Sequence, residues 1–404
     1  MRSIAFQPKA AKPADSVGDQ FAPVGTGEAG AKVRHPLPAW QRVVQWQALQ
    51  GRHDLPWQQA RSPYTVWLSE IMLQQTQVAT VRDYYARFLA RFADVQSLAA
   101  APLEEVMGLW SGLGYYSRAR NLHACARKVV ELHGGEFPRH AEALKTLPGI
   151  GPSTAAAISS LCFGERVAIM DGNVKRVLTR FLGFDADLAK GANQRHLWAL
   201  ATGQLPQGSH TSEVTRHMPA YTQGMMDLGA TVCLARQPLC EKCPLSDDCV
   251  ARLEGRPAHY PVKTRTLKRS AQSLWLLWAV GEGDEVLLEQ RPERGIWGGL
   301  LCFAVFDDLN ALKVAIPANL HLYLDHLDPF VHVLTHKDLH LHPVRLRIQA
   351  PQKSGWVGKW FGPDEWAQLG LPAPIRKLLM GSAAGFAGGP PQVKMHSLGG
   401  QQPA

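Results

Sequence analysis

The densest chemistry in this sequence is the run CLARQPLCEKCPLSDDC, in which Cys233, Cys240, Cys243 and Cys249 supply four of the chain's seven cysteines. Thiols this close can pair as disulfides, grip zinc or wrap an iron–sulfur cluster. Zinc sites typically join two Cys-x2-Cys knuckles across a longer loop. Here the spacing is Cys-x6-Cys-x2-Cys-x5-Cys, with a single knuckle and all four ligands in one compact run. That suits the corners of a [4Fe–4S] cube, with zinc as the alternative on spacing alone. Pro238 and Pro244 stiffen the loop. Arg236, Lys242 and Arg252 beside it either face a phosphate backbone or offset the charge of a cluster.

Two further stretches carry chemistry. In LPGIGPSTAAA a helix ends, the Gly149-Ile150-Gly151 turn brings backbone close to a partner, and Ser153 is placed to cap the next helix. The free N–H groups of that helix would face an anion such as a phosphate. An ordinary αα-turn has the same signature. In VAIMDGNVKRVL, Asp171 follows an apolar run and Gly172-Asn173 opens another helix. A carboxylate there gains from the helix dipole and stays ionised. Taken alone, Asp171 reads as a simple N-cap.

The elements that must position these residues fall into two patterns. From Trp40 to Cys249 the apolar residues recur at helical spacing, in segments such as AWQRVVQWQAL and PYTVWLSEIMLQQTQVATVRDYYARFLARF. From residue 273 the runs become short and β-like, as in SLWLLWAV, EVLLEQ and LHLHPVRLRIQ. The chain therefore divides into a disordered tail (1–36), an all-α domain with the cysteine loop (37–252), a basic linker (253–272), a smaller α+β domain (273–380) and a second disordered tail (381–404). With 404 residues, more than one domain is expected. The net charge of +9 suits a polyanion partner. No run is long enough to span a membrane and the start lacks a secretory h-region. The chain is read as cytoplasmic, where thiols stay reduced.

The hairpin, the Asp171 segment and the cysteine loop follow in one fixed order, and together they resemble the helix-hairpin-helix DNA glycosylase superfamily of the endonuclease III type. WLSEIMLQQTQV and GLGYYSRARNL narrow the resemblance to its adenine-specific, MutY-type branch. The resemblance spans roughly residues 37 to 360. It implies a base-excision-repair enzyme that hydrolyses the N-glycosidic bond of adenine mispaired with 8-oxoguanine or guanine. It also implies one [4Fe–4S] cluster on Cys233, Cys240, Cys243 and Cys249. The partner would be double-stranded DNA holding such a mispair, bound by a monomer with no membrane role in a bacterial cytoplasm, at the nucleoid.

By the same resemblance Glu70 is the general acid. The residues agree, since Trp67, Leu68, Ile71 and Met72 form an apolar stripe around it and no other charge lies between Val66 and Val81. Asp171 is the carboxylate that meets the oxocarbenium-like sugar, and Asn173 orients the water or Asp171. Gln75 and Tyr115 wedge into the base stack, and Trp57 and Gln223 line the adenine pocket. Gly149, Gly151 and Ser153 form the DNA-binding hairpin. Bifunctional relatives carry a lysine where this chain has Ser153, which implies a monofunctional enzyme with little lyase activity. LEQRPERGIWGGLLCF resembles a Nudix-like domain that recognises 8-oxoguanine without hydrolysing a nucleotide, as no Glu-rich magnesium box follows it. The stretch Leu334-Thr335-His336 stands where the family has Phe-Ser-His, so Thr335 and His336 are the lesion contacts. Two rival readings are a bifunctional pyrimidine glycosylase and a non-catalytic iron–sulfur or DNA-binding protein.

Overall fold

The computed structural model describes residues 37–208, 210–264, 269–349 and 355–385. The tail expected at 1–36, and residues 386–404 of the tail expected at 381–404, lie outside the described residues. The helical part opens with α1 (Ala39–Gln50), α2 (Pro56–Gln59), α3 (Pro63–Leu73), α4 (Val78–Arg91), α5 (Val95–Ala100), α6 (Leu103–Trp110) and α7 (Ser117–His133). It continues through α8 (Ala141–Leu144), α9 (Pro152–Phe163), α10 (Gly172–Leu182), α11 (Gly191–Gly203), α12 (Thr211–Thr231) and α13 (Val250–Leu253).

Local sequence sets these ends. A reciprocal capping box between Ser62 and Thr65 starts α3, with Pro63 at its first position. Gly134, Gly164 and Gly183 close α7, α9 and α10 in the left-handed conformation. Helix α9 is buried from Thr154 to Leu161 and packs against α3, α8 and α12. Helix α1 lays Trp40, Val43 and Trp46 inward onto α12, so close that a Cβ on Gly224 would lie 2.7 Å from Val43 Cγ1. The small residue allows the approach.

The second part is a mixed sheet. Strand β1 (Ser270–Val280) lies between β2 (Val286–Gln290) and the later β7 (Lys337–Arg347), and its pairing with β7 is parallel from Ser270↔Lys337 to Val280↔Arg347. Short strands β3 (Leu301–Cys302), β4 (Ala304–Phe306), β5 (Asp325–His326), β6 (Phe330–Val333) and β8 (Lys359–Phe361) pair on these. Helices α14 (Leu309–Val314), α15 (Pro363–Trp366) and α16 (Ala373–Gly385) complete it. The last seven residues of β1 include six buried ones, because both faces of the sheet are covered there. Strand β1 starts inside the stretch read as linker, and α16 runs on past residue 380.

The two parts share one continuous apolar core, from Trp40 to Leu379. The loop after α6 is bonded to the segment before α16: Ser111 Oγ and Tyr116 OH both donate to the Leu371 carbonyl, at 3.2 and 3.0 Å. The connector is pinned as well, with Leu188 N–H donating to Val262 O at 3.1 Å and Thr264 bonded to Asp187. Among the described residues no helix is long and apolar enough to cross a membrane.

Candidate active site

Glu70 lies on the inner face of α3, with Trp67, Leu68, Ile71 and Met72 all at most 4% exposed beside it. Its side chain opens into a small pocket shared with Trp57, Gln58, Arg61 and Gln223. Burial pushes the Glu70 carboxyl up to about 7, the charge of Asp171 adds to the rise, and Arg52 opposes it. The carboxyl therefore keeps its proton on about half of the molecules at neutral pH, a rise in the direction that the apolar stripe implied. Trp57 is buried and meets Tyr85 edge-on at 5.4 Å, so it packs and lines the pocket at once.

Spacing did not reveal what holds this pocket open. Asp227 on α12 is fully buried and takes Arg52 in two ways, from the backbone N–H at 3.0 Å and from the guanidinium at 2.8 Å. Gln223 donates from Nε2 to the same carboxylate at 3.0 Å, and its Oε1 accepts from Arg61 at 3.5 Å. Gln58 presents both amide atoms to the buried space with no protein partner. Asp227→Ala would leave Arg52 and Gln223 without their anchor inside the fold. Loss of one partner of a buried pair costs about 3–5 kcal/mol, and denaturant unfolding of the variant is expected to show that loss.

Asp171 is the N-cap of α10, accepting the Val174 N–H at 2.6 Å. It is close enough to raise Glu70 by its charge. Burial raises Asp171 itself; the N–H groups of Val174 and Asn173, then Arg176 and Lys175, favour its charged form. The Asn173 side-chain oxygen accepts from Arg176 at 2.8 Å, and Arg176 also donates to the Gly229 and Cys233 carbonyls, both at 2.7 Å. Ser153 does not cap α9. Gly151 occupies the cap position, and Ser153 Oγ accepts the Met170 N–H at 3.3 Å, tying the hairpin to the segment that presents Asp171. Gly149 has φ +74°, and a Cβ there would meet Asn121 Cβ at 2.7 Å; around Gly151 the space is open.

Gln75 and Tyr115 both adopt left-handed backbone, at φ +58° and +49°. Non-glycine residues held there cost on the order of 1–3 kcal/mol, a strain found at ligand clamps. Arg118 holds both loops. Its buried guanidinium donates to Ile71, Met72 and Gln74 on one side and to Leu113 and Gly114 on the other, at 2.7–3.2 Å. Its charge also lies 5.4 Å from the centre of the Tyr115 ring. The motif GLGYYSRARNL contains this arginine, but only the fold shows what it grips.

Thr335 and His336 form the exposed tip between β6 and β7, lining a cleft with Tyr115, Trp297 and His332. Thr335 Oγ1 hydrogen-bonds Tyr115 OH across the two parts of the chain. Arg269 steadies the tip through the Leu334 carbonyl at 3.0 Å and the Asp338 carboxylate. The strand histidines do not assemble into a metal site: His342 stacks on Trp275 at 4.2 Å, and His332 lies 6.3 Å from Trp297.

Cys233, Cys240, Cys243 and Cys249 ring one cavity, walled by α10 and the loop itself. Among the described residues no three His, Cys, Asp or Glu groups gather closely enough to hold a single metal ion. A ring of unpaired thiols around a cavity fits a multi-iron cluster better than one tetrahedral zinc. Arg42 on α1 clamps the loop from outside, bonding the Asp248 carboxylate at 2.8 Å and the Pro244 carbonyl at 3.0 Å.

Comparison with known proteins agrees with this layout. Residues 68–202 match the HhH-GPD superfamily of base excision DNA repair proteins, 233–249 the iron-sulfur binding domain of endonuclease III, and 275–381 the NUDIX domain. An adenine DNA glycosylase of Buchnera aphidicola is 33% identical over 345 residues, covering 84% of this chain and 96% of that protein. The Mus musculus adenine DNA glycosylase is 35% identical, covering 81% and 75% respectively. Among solved structures, a thermostable thymine-DNA glycosylase aligns at TM-score 0.46 and 30% identity, over 53% of this chain and 95% of that one.

Proposed function

This chain belongs to the adenine DNA glycosylase family, and we propose that it acts as a monomer on adenine opposite 8-oxoguanine or guanine, hydrolysing the base without cutting the strand. A Glu70 carboxyl raised by burial at the adenine-sized pocket, with Asp171 near enough for its charge to be felt there, carries this reading. An adenine flipped from the duplex enters between Trp57, Gln58 and Gln223. Gln58 offers a donor and an acceptor to an adenine edge, the pairing that glutamine makes with that base. Glu70 gives its proton to a ring nitrogen, the N-glycosidic bond breaks, and adenine leaves neutral. Asp171 stabilises the cationic sugar or adds to it briefly, until water takes its place, loses a proton to the Glu70 carboxylate and leaves an abasic site.

Gln75 and Tyr115 hold the space vacated in the stack, on loops preset by Arg118. The hairpin at Gly149, Gly151 and Ser153 presents backbone N–H groups to phosphate. The contact of Thr335 with Tyr115 carries the second domain to the opposite base. Thr335→Ala is expected to reduce the preference for 8-oxoguanine over guanine by about 3–10-fold, one hydrogen bond's worth, with adenine release opposite guanine unchanged. Paired single-turnover rates on the two duplexes check this.

The four cysteines would hold a [4Fe–4S] cluster. When bound it supplies a rigid anchor for the loop against α10, while Glu70, Asp171 and water handle every proton and bond of the hydrolysis.

The deciding assay is single-turnover cleavage of a labelled duplex with adenine opposite 8-oxoguanine, with and without later alkali. Breaks only after alkali support a monofunctional adenine glycosylase. Breaks without alkali would overturn monofunctionality and point to Lys175, whose ammonium is pushed down by burial and by Lys263. An intact strand in both lanes would overturn the reading.

A further inference from the structure

Arg180, near the end of α10, is 3% exposed and is aimed at the cysteine cavity. Its Nη1 donates to Cys233 Sγ at 3.3 Å and to Leu234 O at 2.6 Å. Nη2 donates to Ala235 O at 3.2 Å, and Nε to Pro257 O at 2.8 Å. Its own carbonyl lies 3.5 Å from Cys249 Sγ. Arg180 thus touches the first and the last of the four thiols.

The carbonyls satisfy the N–H groups but leave the charge unbalanced. Arg42, equally buried and gripping the same loop, meets the Asp248 carboxylate. Arg52 meets Asp227. Arg180 meets no carboxylate among the described residues. It also lies close enough to Arg176 for the two guanidiniums to repel. A buried cation beside a second cation needs a nearby anion. A thiolate-ligated iron–sulfur cluster is one, and N–H bonds to its sulfurs are among the levers that set its potential.

We propose that Arg180 is the cluster's counter-ion and redox-setting residue, fixing the Cys233 corner and making loss of an electron from the cluster harder. This rests on the cluster reading above. One-electron oxidation makes the cluster less negative, and the guanidinium favours the more negative state. Without it the cluster gives up its electron more readily.

The test uses the full-length, cluster-loaded chain with Arg180→Gln and Arg180→Lys. Iron and sulfide are counted per chain, the one-electron potential is measured, and bleaching of the sulfur-to-iron absorption is timed under ferricyanide, which accepts the electron and becomes ferrocyanide. Arg180→Gln is expected to shift the oxidation equilibrium about tenfold, 59 mV lower for one electron, and to bleach correspondingly faster. Arg180→Lys keeps the charge and is expected to stay within about threefold of native, by that same relation. A loaded glutamine variant with native potential and bleaching would overturn the proposal. So would a lysine variant that shifts the full tenfold, which remains decisive even where the glutamine variant fails to fold. Native protein without iron and sulfide would overturn the cluster reading and this inference together, whereas loaded native protein with an unmoved Arg180→Gln would overturn this inference alone.

Discussion

Glu70→Gln is expected to slow single-turnover release of adenine at pH 7 by about 10²–10⁴-fold, the range that a positioned general acid supplies. Glutamine keeps the shape of the side chain in its pocket and cannot deliver a proton. The native enzyme should also carry a pH signature. Burial, reinforced by Asp171, pushes Glu70 up to about 7, so its protonated fraction falls about tenfold for each further pH unit. Native base release should decline on that slope above pH 7, and the residual activity of Glu70→Gln should lack that limb. Stability should move the other way. The folded chain retains a proton that the unfolded chain sheds near the ordinary glutamate value of 4.5, so native stability falls as pH rises from there to about 7 and then levels off. Glutamine has no charge to bury, so the variant should gain on native by up to about 3 kcal/mol at pH 8 and differ little at pH 4. Denaturant melts at the two pH values check the sign. A variant that lost activity and stability together at pH 8 would make Glu70 a structural residue.

How much of this was visible in the chain depends on how local each cause is. The apolar setting of Glu70 was legible because its neighbours at helical spacing are apolar and no other charge lies nearby. The cysteine loop was legible because its ligands are adjacent in sequence. Asp171 was visible as a cap from its place before a helix, and its proposed role toward the sugar came only with the family resemblance. Arg118, Arg52 and Asp227 were not legible at all. Each works by reaching a partner remote in sequence, as Arg52 does with Asp227, and no periodicity announces such contacts. The cap expected of Ser153 was misplaced for a related reason: Pro152 takes the first helical position and moves the cap back to Gly151. The strain at Gln75 and Tyr115 is likewise invisible in composition, since neither residue type demands positive φ. It persists because Arg118 binds the carbonyls around both turns.

Asp171→Asn separates the helix cap from the role toward the sugar proposed for this residue. Asparagine caps a helix about as well as aspartate, so the bond to the Val174 N–H survives and the unfolding free energy should change by less than about 1 kcal/mol. The negative charge that meets the developing cation is gone, and base release should fall on the order of 10²–10³-fold, the cost of removing one preorganised electrostatic contact. A third consequence follows from the coupling of the two carboxyls. Asp171's charge is the second cause of Glu70's high pKa, so without it the Glu70 carboxyl should titrate below about 7. The decline of the remaining activity with pH should then begin at lower pH than in native protein. That shift distinguishes lost electrostatics from mere mispacking, which would change the rate and leave the profile in place. Asp171→Ala, by contrast, loses the cap as well and should cost about 0.5–2 kcal/mol more in stability. If Asp171→Asn retains base release within a few-fold of native while Asp171→Ala unfolds readily, Asp171 is a cap alone. The cationic sugar would then have to be stabilised by some other group.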